Sequence, residues 1–237
     1  MISVHLITPF PDMVNAIIDE SILKIAGKKE MVRYVVHNLF SYADPPHYRI
    51  DDYPFGGGSG MIMKPEPLSR AIEAARSDAL PGENVRIIFP SPDGKLLNQT
   101  ISENLSKAER LIFIHGHYKG IDQRIRDRYV TDEISIGDYV LTGGELPAMV
   151  ILDTVIRLIP GVINTFESAE TDSFTHDLLD GPHYTRPEEF DGMTVPEILL
   201  SGHHQKIAKW RLVNQIEKTK KNRPDLFKKY LEPKEAE

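Results

Sequence analysis

The chain has 237 residues and no cysteine. That excludes disulfides, thiolate catalysis and cysteine-ligated zinc. No apolar run is long enough to span a bilayer. The segment Met1 to Pro9 has no basic stretch and no signal-peptide cleavage pattern. A soluble, cytoplasmic protein is the expectation. No glycine loop carries the Gly-Lys-Ser/Thr ending of a P-loop, and no dinucleotide fingerprint follows any strand. A nucleotide-dependent dehydrogenase is therefore disfavoured. Internal repeats and low-complexity segments are absent too. Positive charge is in short supply: 28 Lys and Arg face 35 Asp and Glu, a net of −7. That balance does not suit a general nucleic-acid binder.

Hydrophobic residues make up 41%, enough for a sizeable core, and the length allows one large domain or a medium one with a smaller partner. The charge is unevenly placed. From Ser201 to Glu237 ten Lys and Arg stand against five Asp and Glu, leaving 18 against 30 elsewhere. An acidic body with a basic C-terminal region can dock one polyanion through a local patch. A solvated lysine-rich helix explains the same charges.

Val4, Leu6 and Ile7 predict a first strand, and Asp12 caps a helix running to Ile25 and stopped by Gly27. Met31 to Phe40 predicts a second strand. Tyr53 to Met61, with Gly56-Gly57-Gly58-Ser59-Gly60, predicts a surface loop. Three βα units follow. Their strands are Val85 to Phe89, Leu111 to Ile114 and the stretch at Ile134; Asn98 to Ala108 and Ile121 to Tyr129 predict helices. This alternation implies an α/β fold, a mainly parallel sheet with helices on both faces. Ligands in such sheets bind beyond the carboxyl ends of strands. The loops Phe89 to Asp93, His115 to Gly120 and Ile136 to Pro147 would share one crevice. A helix from Glu145 ends at Pro160-Gly161, and the polar stretch that follows reads as a linker, 162–177. Beyond it, 178–237 predicts a small helical domain. Its best helix spans His203 to Thr219, with Ile207, Trp210, Val213 and Ile216 on one side and Lys206, Lys209, Arg211 and Lys218 on the other.

The densest information lies in Asp132 to Pro147. Ile134, Ile136 and Val140 suit a buried strand edge and its turn. Gly143-Gly144 permits positive φ and close backbone approach. About a dozen residues are spent on specified backbone shape, where ordinary βα loops need about 2–6. Main-chain groups there could read the edge of a nucleobase, with Tyr139, Leu141 and Pro147 against its face. A tight strand-to-helix turn is the plainer alternative.

Ile136-Gly137-Asp138-Tyr139-Val140-Leu141 with Gly143-Gly144-Glu145-Leu146-Pro147 resembles the cofactor loop of bacterial tRNA (guanine-37-N1) methyltransferases. These are S-adenosylmethionine enzymes of the SPOUT class. The resemblance extends to the glycine-rich loop, to Asp172-Ser173-Phe174, to Leu178 through Pro187, to Leu200-Ser201-Gly202-His203-His204 and to Arg223-Pro224-Asp225-Leu226. It implies a trefoil-knotted domain over 1–161, which pattern alone could not show. It implies cofactor contacts from Pro90, Gly116, Tyr118, Ser135, Ile136, Gly137, Asp138, Tyr139, Val140, Leu141, Gly143, Gly144 and Pro147. It further implies a homodimer with the site at the interface, tRNA as partner, and an assisting magnesium ion for which no residue pattern marks a site.

N1 of guanine must lose its proton to attack a methyl group, leaving negative charge partly on O6. Such a site needs a general base and a cation or donor beside O6. By resemblance the base is Asp172, although a linker aspartate is commonly a turn residue. Arg157 would stabilise the charge, although an arginine there also suits a helix C-terminus. Gly58 and Gly60 would lie near the substrate, and His183 and Arg186 would meet its phosphates. Lys206 and Lys209 belong to the basic face. His115 and His117, even with His203 and His204, make no metal pattern. One departure stands out. The family usually reads Gly-Arg-Tyr-Glu-Gly where this chain has Gly116-His117-Tyr118-Lys119-Gly120, so a glutamate beside donor and base becomes a lysine. Two rivals are a SPOUT enzyme modifying another RNA position and a catalytically silent RNA-binding protein, which Lys119 alone supports.

Overall fold

The computed structural model describes residues 1–163, 172–174 and 176–232. The chain divides into two compact units, Met1–Asn164 and Thr165–Glu237. The first is built on a five-stranded sheet: β1 (Ile2–Thr8), β2 (Val32–Asn38), β5 (Val85–Leu96), β6 (Arg110–Ile114) and β7 (Asp132–Ser135). Their order is β2-β1-β6-β5-β7, and every neighbouring pair is parallel. A short antiparallel pair, β3 (Asp51–Asp52) and β4 (Ile62–Met63), flanks the glycine-rich loop.

Alternation along the strands sends side chains to two cores. Val4, Leu6, Ile88, Leu111 and Phe113 join one face, covered by α1 (Pro11–Ile18), α2 (Ser21–Lys28), α4 (Gln99–Leu105) and α6 (Glu145–Ile156). Ile7, Ile87, Phe89, Ile112 and Ile114 join the other, covered by α3 (Pro65–Arg76) and α5 (Gln123–Tyr129). With both faces buried, β6 and the first half of β5 read as near-continuous apolar runs, while the edge strands β2 and β7 do not. Each fully buried Leu, Ile or Phe contributes roughly 1.5–3 kcal/mol of transfer free energy.

The sheet departs from regularity at one edge. Pro90 and Lys95 both lie opposite Ile134, so Ser91 to Gly94 leave the ladder as an excursion. Pro90 and Pro92 have no N–H to give a ladder. Gly94 closes the excursion directly onto the backbone of Glu133 and Ile134, where no Cβ could fit.

Several elements differ from the sequence reading. The first long helix is two, α1 and α2, broken at Asp19 and Glu20, with Ser21 at φ 49°. Phe10 rather than Asp12 is the N-cap of α1, and Gly27 lies inside α2. The sequence reading passes over α3, although Leu68, Ala71, Ile72 and Ala75 are spaced for one buried helix face. The helix from Glu145 stops at Ile156, four residues before Pro160, because the 157–162 segment continues only as turns. Val140 is 86% exposed and belongs to no strand.

Among its described residues the second unit contains a hairpin, β8 (Glu189–Phe190) with β9 (Met193–Thr194), and three helices: α7 (Glu197–Leu200), α8 (His204–Asn222) and α9 (Pro224–Leu231). Val213, expected on the packed side of α8, is 44% exposed, and the buried residue of that helix is Thr219. Most of the 162–177 stretch lies outside the described residues.

Candidate active site

Beyond the carboxyl ends of β5, β6 and β7 the first unit opens a cavity of about 390 Å³. That volume is in the range of small-ligand sites. The three loops singled out in the sequence wall it: Phe89 to Asp93, Gly116 to Gly120, and Ser135 to Gly144 with Pro147. Pro90, Gly116, Tyr118, Ser135, Ile136, Gly137, Tyr139, Val140, Leu141, Gly143, Gly144 and Pro147 all line it, and Asp138 does not. The adenine-face candidates Tyr139, Leu141 and Pro147 are thus on one surface.

Two loops cross at close quarters to form the wall. The Gly144 N–H donates to the Gly116 carbonyl at 2.8 Å, and His117 pairs with Gly143 in an isolated antiparallel bridge. A Cβ on Gly144 would stand 2.7 Å from the Gly116 nitrogen and 2.9 Å from His115 Cα. A Cβ on Gly116 would stand 2.7 Å from Phe89. Neither Gly143 nor Gly144 has positive φ. Of the two reasons the sequence offered for these glycines, close backbone approach applies and positive φ does not.

Under the crossing lies a carboxylate that the sequence reading did not single out. Glu145, in the first turn of α6, is 1% exposed. Thr8 Oγ1 donates to its Oε1 at 2.6 Å, and His117 Nε2 meets its Oε2 at 2.6 Å. His115 Nδ1 stands 3.7 Å away, an electrostatic contact too long for a hydrogen bond. Burial alone would raise the Glu145 carboxyl; its contacts with His115, His117 and Thr8 outweigh that and hold it below the ordinary carboxylate range. Burial pushes His115 down, so it stays neutral at pH 7. The spacing of His115 and His117 was the available signal: in extended chain, alternate residues reach the same side. The acid at the head of an apolar helix was the other.

The opposite wall has its own tie. Arg126 donates to Glu133 at 2.6 Å and to Asp93 at 2.8 Å, and its guanidinium lies 5.6 Å from the Phe89 ring centroid. It fastens the Ser91 to Gly94 excursion to α5 and β7.

Gly60 abuts Lys119, while Gly58, at φ 114°, has open space around it. Arg157 is the C-cap of α6, its N–H reaching the Asp153 carbonyl at 3.2 Å. In the second unit Asp172 is half-buried. Its neighbours fold back on themselves: the Phe174 N–H reaches the Leu178 carbonyl at 2.8 Å, and Ser173 Oγ accepts from the Asp180 N–H at 2.9 Å. His183 Nε2 meets Asp180 Oδ2 at 2.6 Å. Arg186, Lys206 and Lys209 are exposed. No group of three His, Asp or Glu side chains suited to a metal ion occurs among the described residues. Nor is any helix there long and apolar enough to cross a membrane.

A family model described as tRNA (guanine-1)-methyltransferase TrmD matches residues 2–229. The chain belongs to this family. Curated relatives named tRNA (guanine-N(1)-)-methyltransferase agree over nearly their full length. The one from Staphylococcus carnosus is 50% identical over 224 residues, covering 94% of this chain and 90% of that protein. The one from Bacillus velezensis is 50% identical over 229 residues, covering 96% and 93%. The one from Clostridioides difficile is 47% identical over 228 residues, covering 95% and 97%. The cavity thus belongs to a chain of the TrmD family.

Proposed function

We propose that this chain, as a tRNA (guanine-1)-methyltransferase, takes its methyl group from S-adenosylmethionine and places it on N1 of guanine-37. The carrying observation is the cavity at the carboxyl ends of three adjacent parallel strands, walled by close-crossing glycine backbone, in a member of this family. The residues present fit the donor. Main-chain groups of Ile136 to Leu141 suit an adenine edge, and Leu141 and Pro147 give apolar surface for its face. A knotted path of the SPOUT type belongs to the same reading.

The donor supplies an electrophilic methyl group on a sulfonium centre. The protein's part is to hold guanine N1 in line with it and to manage one proton. Asp172 accepts the N1 proton as general base, and Arg157 meets the negative charge on O6. His183, Arg186, Lys206 and Lys209 hold the tRNA phosphates, with the Gly58 to Gly60 loop beside the target base. The first unit binds the donor, and the second grips the tRNA. The enzyme acts as a homodimer in the cytoplasm, with Asp172 of one protomer completing the site of the other. An exposed apolar surface on the first unit supports that association: Phe10, Met13, Leu146 and Val150 are each 39–51% exposed. No step is assigned to magnesium.

Asp172→Asn tests the base. Donor binding should be retained while the single-turnover methyl-transfer rate falls roughly 10²–10⁴-fold. Unchanged turnover would remove Asp172 from this role.

A further inference from the structure

Four side chains lining the cavity can carry charge: Asp93, His117, Lys119 and Arg126. Three are matched. Arg126 is paired with Asp93 and Glu133, and His117 with Glu145. Lys119 has no hydrogen-bond or ion-pair partner for its ammonium among the described residues, and it is exposed to the cavity mouth. Its backbone is tied to the segment before β4. Its N–H donates to the Met61 carbonyl at 3.0 Å, and its stem lies where a Gly60 side chain would otherwise be. A Cβ there would stand 2.7 Å from Lys119 Cγ and 3.3 Å from Cε. An ammonium with no partner among the described residues, at the cavity mouth beside the glycine-rich loop, is placed to meet an anion from the ligands.

We infer that Lys119 is a further catalytic residue, whose ammonium stabilises the guanine anion formed when N1 is deprotonated. This rests on the methyl-transfer reading above. In the step, the N1–H proton passes to Asp172 and the N1 lone pair forms the bond to the methyl carbon. The carbon–sulfur bond breaks, leaving its electron pair on sulfur as a neutral thioether. A cation has nothing to gain beside the sulfonium, which is itself positive. It gains most where negative charge develops, on N1 and O6. By favouring the deprotonated base, Lys119 lowers the pH at which N1 becomes competent. The family's usual glutamate would have the opposite sign at this place.

The test uses full-length protein with an unmodified tRNA transcript. Lys119→Met and Lys119→Arg are compared with wild type across pH 5.5–9 (roughly one unit beyond each end of the physiological range). Binding of S-adenosylmethionine and S-adenosylhomocysteine is measured separately by calorimetry without tRNA. For Lys119→Met the expected result is a single-turnover rate about 10²-fold lower. The pH of half-maximal rate should rise by about one unit, with both donor affinities within about twofold of wild type. Lys119→Arg should restore most of the rate. Equal weakening of both donor affinities with a normal saturated rate would overturn the inference and place Lys119 on the donor carboxylate. An unaltered rate and pH profile would also overturn it. If wild type itself transfers no methyl group to guanine-37, the underlying reading fails instead.

Discussion

Replacing Gly144 by alanine probes the loop crossing that shapes the cavity. The added methyl would stand 2.7 Å from the Gly116 nitrogen, 2.9 Å from His115 Cα and 3.1 Å from His115 C. All three are backbone atoms, so no side chain can swing aside. Ordinary contact begins near 3.4 Å, so the two loops must part by about 0.7 Å (3.4 − 2.7). The 2.8 Å Gly144 N–H bond to the Gly116 carbonyl joins the same two loops and would be stretched. Overpacking of this kind costs about 1–3 kcal/mol, and a weakened buried hydrogen bond adds about 1 kcal/mol. A sum near 3 kcal/mol predicts a fall in Tm of roughly 6–12 °C. Because the displaced atoms are cavity wall, affinity for S-adenosylhomocysteine should fall at least about tenfold, or 1.4 kcal/mol. Differential scanning fluorimetry and calorimetry on the same sample read the two effects. Unchanged Tm and unchanged affinity would refute the argument that glycine is needed here for space.

Two other predictions concern pH and salt. Burial, with His37 and Arg110 nearby, pushes His5 down to about 4 from an ordinary 6.5. The folded state then binds fewer protons than the unfolded one. Stability is full above pH 6.5 and is lost as pH falls through the 6.5–4 window, by on the order of 1–3 kcal/mol after allowance for solvent near His37. His5→Gln should flatten that slope in urea titrations, and an unchanged slope would assign it to other groups. Substituting Lys206, Lys209 and Lys218 by glutamine should weaken tRNA binding and reduce the slope of log affinity against log salt by about two to three; if both are unaltered, the basic face of α8 is only solvated surface.

The α/β alternation was legible because Val85 to Phe89 and Leu111 to Ile114 are compact, largely apolar runs, each followed by a stretch with helical signals. Two of the cavity loops were legible for a related reason: Ser91 to Gly94 and Ile136 to Gly144 are too rich in Gly, Pro and Asp to keep a regular ladder. What holds those loops was not. Glu145 meets Thr8 and His117 across 137 and 28 residues, and Arg126 meets Asp93 across 33. No local pattern carries pairings at such separations. The break between α1 and α2 was hidden because Ile17, Ile18, Ile22 and Leu23 continue a helical apolar spacing through it. Val140 misled for the opposite reason: it is β-branched, yet it lies on the open rim of the cavity. The role of Asp172 came from its motif; its surroundings in the second unit show only how Ser173 and Phe174 are folded against Leu178 and Asp180.

The central claim is methyl transfer to N1 of guanine-37, and the direct measurement uses labelled S-adenosylmethionine with two unmodified transcripts, one bearing guanine at position 37 and one adenine. Label is expected on the guanine transcript alone, mapped to N1. Label on both, on neither, or at another atom of guanine would contradict it.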